Sequence, residues 1–107
     1  MIATLARMLG IQPNAQPPLR SAPSLKNLLA IRQAMLTCIS DCDTTASSRL
    51  RHKIDHTQTP QELWMLRNDA YQLISQRHNQ TVAAERINAL IEHFEGWVDP
   101  KQLVRIG

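Results

Sequence analysis

Glycine is scarce in this chain, with 3 among 107 residues, and aromatic side chains make up only 4% of it. A turn-rich β fold draws on glycine at its tight turns and on aromatics along its strands, so both shortages point to helices. There are only two cysteines, Cys38 and Cys42, four apart on one expected helix. A disulfide between them is geometrically awkward and closes a trivially short loop, which excludes a disulfide-stapled scaffold and leaves reduced thiols. No apolar run approaches the ~20 residues a membrane span needs. Residues 1–9 also lack the charged start, long apolar middle and small-residue cleavage site of a secretory leader. A cytoplasmic protein with no membrane contact is the expectation. A glycine-rich nucleotide loop, a triad spacing and a strong metal signature are likewise missing, so no catalytic residue, no enzyme activity and no cofactor are expected.

What is present is a helical pattern sized for one domain, with 43% hydrophobic and 20% charged residues. Its clearest signal is Thr59-Pro60-Gln61-Glu62. The Thr59 hydroxyl can accept from the Glu62 N–H, the Glu62 carboxylate can reach back to Thr59, and Pro60 supplies a pre-set φ at the first helical position. The apolar stripe Leu63, Leu66, Ala70, Leu73, Ile74 predicts one helix from Pro60 to about Arg77. A break at His78-Asn79-Gln80 precedes a second helix from Thr81 to Glu95, and the two should form a C-terminal hairpin. Gly96 suits the left-handed position after that helix, and Asp99-Pro100 starts a last short one. Upstream, Ser24 caps a helix from about 25 to 40, and Ser47 or Ser48 starts a shorter basic one ending near His56. Residues 1–10 read as a short amphipathic helix stopped by Gly10. Residues 11–23, with Pro13, Pro17, Pro18 and Pro23, read as an extended linker, and 24–107 as the helical domain. The fold expected is an all-α bundle of four to five helices. The stretch from Leu63 to Trp97 resembles, at most, small bacterial helical proteins, a likeness that implies no function.

Three sets of residues carry candidate functions. Ile2, Leu5 and Leu9 form an apolar face that either folds back onto its own core or enters a groove on another protein or a second copy of the chain. Trp64 and Tyr71 lie about 90° from the main stripe of their helix and form either packing or a partner contact, while Met65 points away from both faces and needs a partner to cover it. Together these residues suggest a protein-interaction module, an adaptor or regulator that works through apolar helix faces.

The charge suggests an alternative. Residues 1–58 hold seven Lys/Arg against three Asp, and residues 59–107 hold five against six acidic residues. The run Arg49, Arg51, Lys53 could contact phosphates of a nucleic acid in a salt-dependent way. A helix-turn-helix at residues 78–81 is a weaker reading, because the second helix opens on Val82, Ala83 and Ala84, which offer little base-reading chemistry. A second alternative is a zinc-supported hairpin built from Cys38, Cys42, His52 and His56. At ~100° per residue, however, burial of Leu50 and Ile54 turns both imidazoles outward, away from the thiols, which favours no metal.

Overall fold

The computed structural model describes residues 24–107. The expected helix over 1–10 and linker over 11–23 lie outside the described residues. Five α-helices follow in order: α1 (Leu25–Cys38), α2 (Thr45–His56), α3 (Pro60–Met65), α4 (Arg67–Arg77) and α5 (Gln80–Phe94), then a single 3₁₀ turn at Pro100–Gln102. The protein is an all-α bundle. The hairpin of α4 and α5 is its most extensive packing, α1 lies against α5, and α2 bridges α1 and α4.

Local chemistry sets most boundaries. Ser24 and Asn27 form a reciprocal capping box on α1, and Thr59 and Glu62 form one on α3 with Pro60 at its first position. α2 begins earlier than its sequence suggests. Thr44 is the cap and Ser47 is the third helical residue returning the bond, its hydroxyl oxygen accepting from Thr44 N–H at 2.9 Å where a glutamate would accept through its carboxylate. Ser47 is fully buried, and its hydroxyl also donates to Thr44 O at 2.7 Å. Asn79 caps α5, so that helix starts at Gln80 rather than Thr81. Beyond Phe94 the chain turns through Gly96, whose φ of 87° lies in the left-handed region that glycine tolerates without a Cβ clash.

The single helix expected from Pro60 to Arg77 is two. At Leu66 (φ −85°, ψ −2°) the N–H bonds back to Leu63 O in a tight turn, and Arg67 donates to Trp64 O at 2.8 Å. That turn changes the helical phase, so the angular relation between Trp64 and Tyr71 on an unbroken helix does not hold. Trp64 is 1% exposed and belongs to the core, with its ring 4.9 Å from that of Phe94 at a tilted 54°. The core runs from Leu28, Ile31 and Met35 of α1 through Leu50, Ile54 and Leu63 to Ile74, Ile87, Leu90 and Phe94.

The short helix expected at Asp99-Pro100 is a single 3₁₀ turn, Pro100–Gln102, capped by Asp99, and the C-terminal segment around it is held by side chains. Trp64 Nε1 donates to Gln102 O at 2.9 Å, and Gln61 Nε2 donates to Trp97 O at 2.7 Å. Asn88 clamps Ile106 from both sides, donating to its carbonyl at 2.9 Å and accepting from its N–H at 2.7 Å. Val98 is fully buried, and Leu103 and Ile106 pack on the core.

Candidate functional site

The C-terminal end of α1 carries no basic residue of its own in its last turn. Helix ends leave carbonyls without partners and a partial negative charge, which cations relieve. Arg86 supplies the relief at Cys38 O, the last helical carbonyl, and Arg51 and Arg77 hold carbonyls of the turn that follows. Arg51 of α2 donates to Cys42 O and to Ile39 O, Arg77 of α4 donates to Asp41 O at 3.3 Å, and Arg86 of α5 donates to Cys38 O at 3.2 Å. Arg86 also grips both carboxylate oxygens of Asp41, at 2.9 and 3.0 Å, in the bidentate geometry that suits a guanidinium. His78 Nε2 meets the same carboxylate at 2.6 Å. Hydrogen bonding from Arg86 first, and from His78 second, holds the Asp41 carboxyl well below the usual carboxylate range, and Asp41 in turn raises Arg86.

This knot gathers a thiol, a carboxylate and an imidazole, but in the wrong order for nucleophilic catalysis. Activation needs the imidazole on the thiol and the carboxylate behind the imidazole. Here the carboxylate stands between them, with Cys42 Sγ 3.8 Å from Asp41 Oδ1 and His78 on Asp41 Oδ2. Burial and the neighbouring Asp41 charge both raise the Cys42 thiol. Burial likewise pushes Cys38 up from 9.0 to about 11. Both thiols are therefore held in the protonated, unreactive form at neutral pH.

Beside the knot lies an open groove of about 560 Å³ between α1 and α5. Ala30, Ala34, Cys38, Ala89 and Leu90 give it an apolar lining, with Gln33, Thr37, Arg86 and His93 as its polar members. Small residues on both facing helices keep this strip shallow and leave the space unfilled. Arg86 belongs to the groove and the knot alike, so its charge at the groove end is already matched by Asp41. Leu25 and Leu29 extend exposed apolar surface along α1, at 69% and 48% exposure.

The residues singled out by sequence are distributed differently. Trp64 is withdrawn as a contact residue by its burial; Tyr71 is half-buried against the core, while Met65 is 72% exposed. Ile2, Leu5 and Leu9 lie outside the described residues. In the basic run, Arg51 is a structural ligand of α1 and is not free for phosphate. Arg49 and Lys53 line a smaller cleft of about 250 Å³ between α2 and α4, where Lys53 stands 3.9 Å from Asp69. Arg86, on the second helix of the segment read as a weak helix-turn-helix, is committed to Asp41. Cys38 and Cys42 are buried while His52 and His56 are exposed with ring centroids 4.2 Å apart, so the four do not converge. Among the described residues no group of three or more His, Cys, Asp or Glu is placed to hold a metal.

Sequence inspection missed the Asp41–His78–Arg86 knot. Its members are 37 and 45 residues apart, and the only local hint is Asp41 directly after a helix end that lacks its own cation. The fold and site define a small helical bundle with an apolar interhelical groove locked at one end by an ion-paired knot. Comparison with protein-family models, with curated proteins and with solved structures finds no match for this chain. None of the described helices is long and apolar enough to cross a membrane.

Proposed function

We propose that this protein is a non-enzymatic interaction module, an adaptor or regulator acting in the cytoplasm, whose contact surface is the groove between α1 and α5. The observation that carries the reading is the groove itself: an apolar floor between two helices, a polar border, and one charged member neutralised in advance. Such a surface suits the apolar face of an amphipathic helix from a protein, laid between the walls with its polar side in water. The exposed Leu25 and Leu29 support the reading by extending the same helix's apolar surface. The ordering of thiol, carboxylate and imidazole in the knot argues against covalent catalysis there.

The test is capture of partners by tagged full-length protein, comparing the wild type with Ala30→Lys/Ala89→Lys. Both positions are exposed and line the groove, so lysine blocks it without emptying the core. A control, Ala46→Lys/Gln76→Lys, places the same charge around the α2/α4 cleft. A protein lost only from the groove variant supports the reading, whereas identical captures from all three remove it. Nuclease-sensitive recovery lost in Arg49→Gln/Lys53→Gln transfers the function to nucleic acid.

A further inference from the structure

One face of α2 is turned into the core, where Leu50 and Ile54 are buried, and the face opposite meets water. His52 and His56 stand on that outer face, both exposed. A spacing of four residues sets them one above the other on the helix, and their ring centroids are 4.2 Å apart with the planes tilted by 36°. We infer that His52 and His56 are a two-point chelate for a divalent transition cation of the zinc, nickel and copper class, held at the C-terminal end of α2 and independent of the groove between α1 and α5.

Three observations carry it. The first is where the proton lies. His56 Nδ1 is 2.8 Å from His52 O. A carbonyl oxygen only accepts, so Nδ1 carries the hydrogen and Nε2 keeps its lone pair for a metal. A backbone carbonyl on the far nitrogen is the support that metal-bound imidazoles characteristically have, and here it ties one ligand to the backbone of the other. The second is the helix beneath. Buried Leu50 and Ile54 fix α2 on the bundle, so both imidazoles are presented from one rigid turn and little freedom is lost when an ion joins them. His56 is also the last residue of α2, where the partial negative charge of a helix end favours a cation. Of the other charges on that turn, Lys53 is 3.9 Å from Asp69, which offsets it, and Asp55 is exposed beside His56 in the chain. The third is the donor set. Imidazole nitrogens four apart on one helical face suit zinc, nickel and copper, whereas magnesium and calcium require several oxygens. Among the described residues no third donor joins the pair, so the remaining coordination positions are open to water or to a donor from another molecule. Cys38 and Cys42 are buried and do not compete.

Nickel(II) titrated into the full-length protein at pH 8, followed through the imidazole signals of its four histidines, tests the assignment. His52 and His56 should broaden together at nickel concentrations that leave His78, held by Asp41, and His93, exposed on α5, sharp. His52→Asn and His56→Asn should each weaken binding by at least about tenfold, since losing even a supporting partner of a metal site costs that much. Both positions are exposed, so circular dichroism of the two variants should show the wild-type helix content. Excess zinc(II) should displace the nickel and restore the signals, and the same excess of magnesium(II) should not. Broadening of His52, His56 and His93 at one common affinity would reduce the pair to single surface imidazoles and overturn the chelate, as would wild-type affinity in either variant. Displacement by magnesium would overturn the nitrogen donor set.

Discussion

Trp64 shows how one residue's surroundings decide between packing and contact. Its ring is enclosed, Phe94 tilts against it, and the Arg67 guanidinium sits 4.6 Å from its centroid. Only the indole N–H needed a polar partner, and Gln102 O provides it. Trp64→Ala should therefore cost about 3–5 kcal/mol by leaving a cavity. Trp64→Phe should cost less, since the ring contact survives while the Gln102 carbonyl loses its donor, at about 1–3 kcal/mol. Urea unfolding followed by circular dichroism measures both, and a Trp64→Ala protein as stable as the wild type would contradict the core assignment. Asp41 makes a different kind of contribution. Its carboxyl is held below the ordinary value by Arg86 and His78, so its stabilisation is complete above about pH 4, the usual Asp range, and drains away as pH falls below it. Because about a third of the Asp41 and Arg86 side chains remains in water, the pair contributes about 1 kcal/mol rather than the several expected of a buried one. Thermal melts between pH 2 and 6 should fall more steeply for the wild type than for Asp41→Asn, and parallel curves would count against the linkage.

At the scale of helices, what could be read in sequence was what a few neighbouring residues determine by themselves. The caps at Ser24 and Thr59, the turn at Gly96 and the α4/α5 hairpin all follow from short-range hydrogen bonding and apolar spacing. The turn at Leu66 does not, because the apolar stripe runs through it unbroken; Arg67 reaching back to Trp64 O marks it only once the fold is known. Arginine roles were hidden for the same reason. Arg49 and Arg51 sit two apart on α2 and look alike in sequence, yet the first is exposed while the second ties down the end of α1. Arg51→Gln should lower stability by about 1.5–3 kcal/mol, the range for hydrogen bonds to a charged group, and Arg49→Gln should leave it unchanged. At about 4–8 °C per kcal/mol for a domain of 60–100 residues, calorimetry separates the two readily. Equal melting temperatures would mean that the Ile39 and Cys42 carbonyls are satisfied without Arg51. The candidate groove was equally illegible, since its alanines on the two helices lie 55 or more residues apart in sequence and neither strip resembles a site alone.

Over the whole molecule, five of the twelve Lys/Arg side chains are hydrogen-bonded to carbonyls of the fold, Arg51 of the basic run among them. Arg32 donates to Thr57 O, Arg67 to Trp64 O, and Arg51, Arg77 and Arg86 hold the end of α1. These bonds leave the net charge of +3 in place but fix the guanidiniums, so fewer of them are free to reach a phosphate backbone. The same convergence of helices on the end of α1 buries both cysteines, which makes thiol chemistry a reporter on the assembled bundle. Burial lifts Cys38 to about 11, above the 9.0 ordinary for a thiol. The unfolded chain therefore releases this proton at a lower pH than the folded one does, so the contribution to stability is complete below about pH 9 and is lost as pH rises toward 11. Melting temperature should decline over that interval, and Cys38→Ala should flatten the decline even if it lowers stability throughout. At pH 8 a thiol reagent should reach Cys38 and Cys42 mainly through opening of the bundle, so labelling should accelerate in Trp64→Ala in step with its loss of stability. Equal labelling rates in wild type and Trp64→Ala, measured by intact mass, would place the thiols outside the cooperative core and detach the groove floor at Cys38 from the knot that holds it.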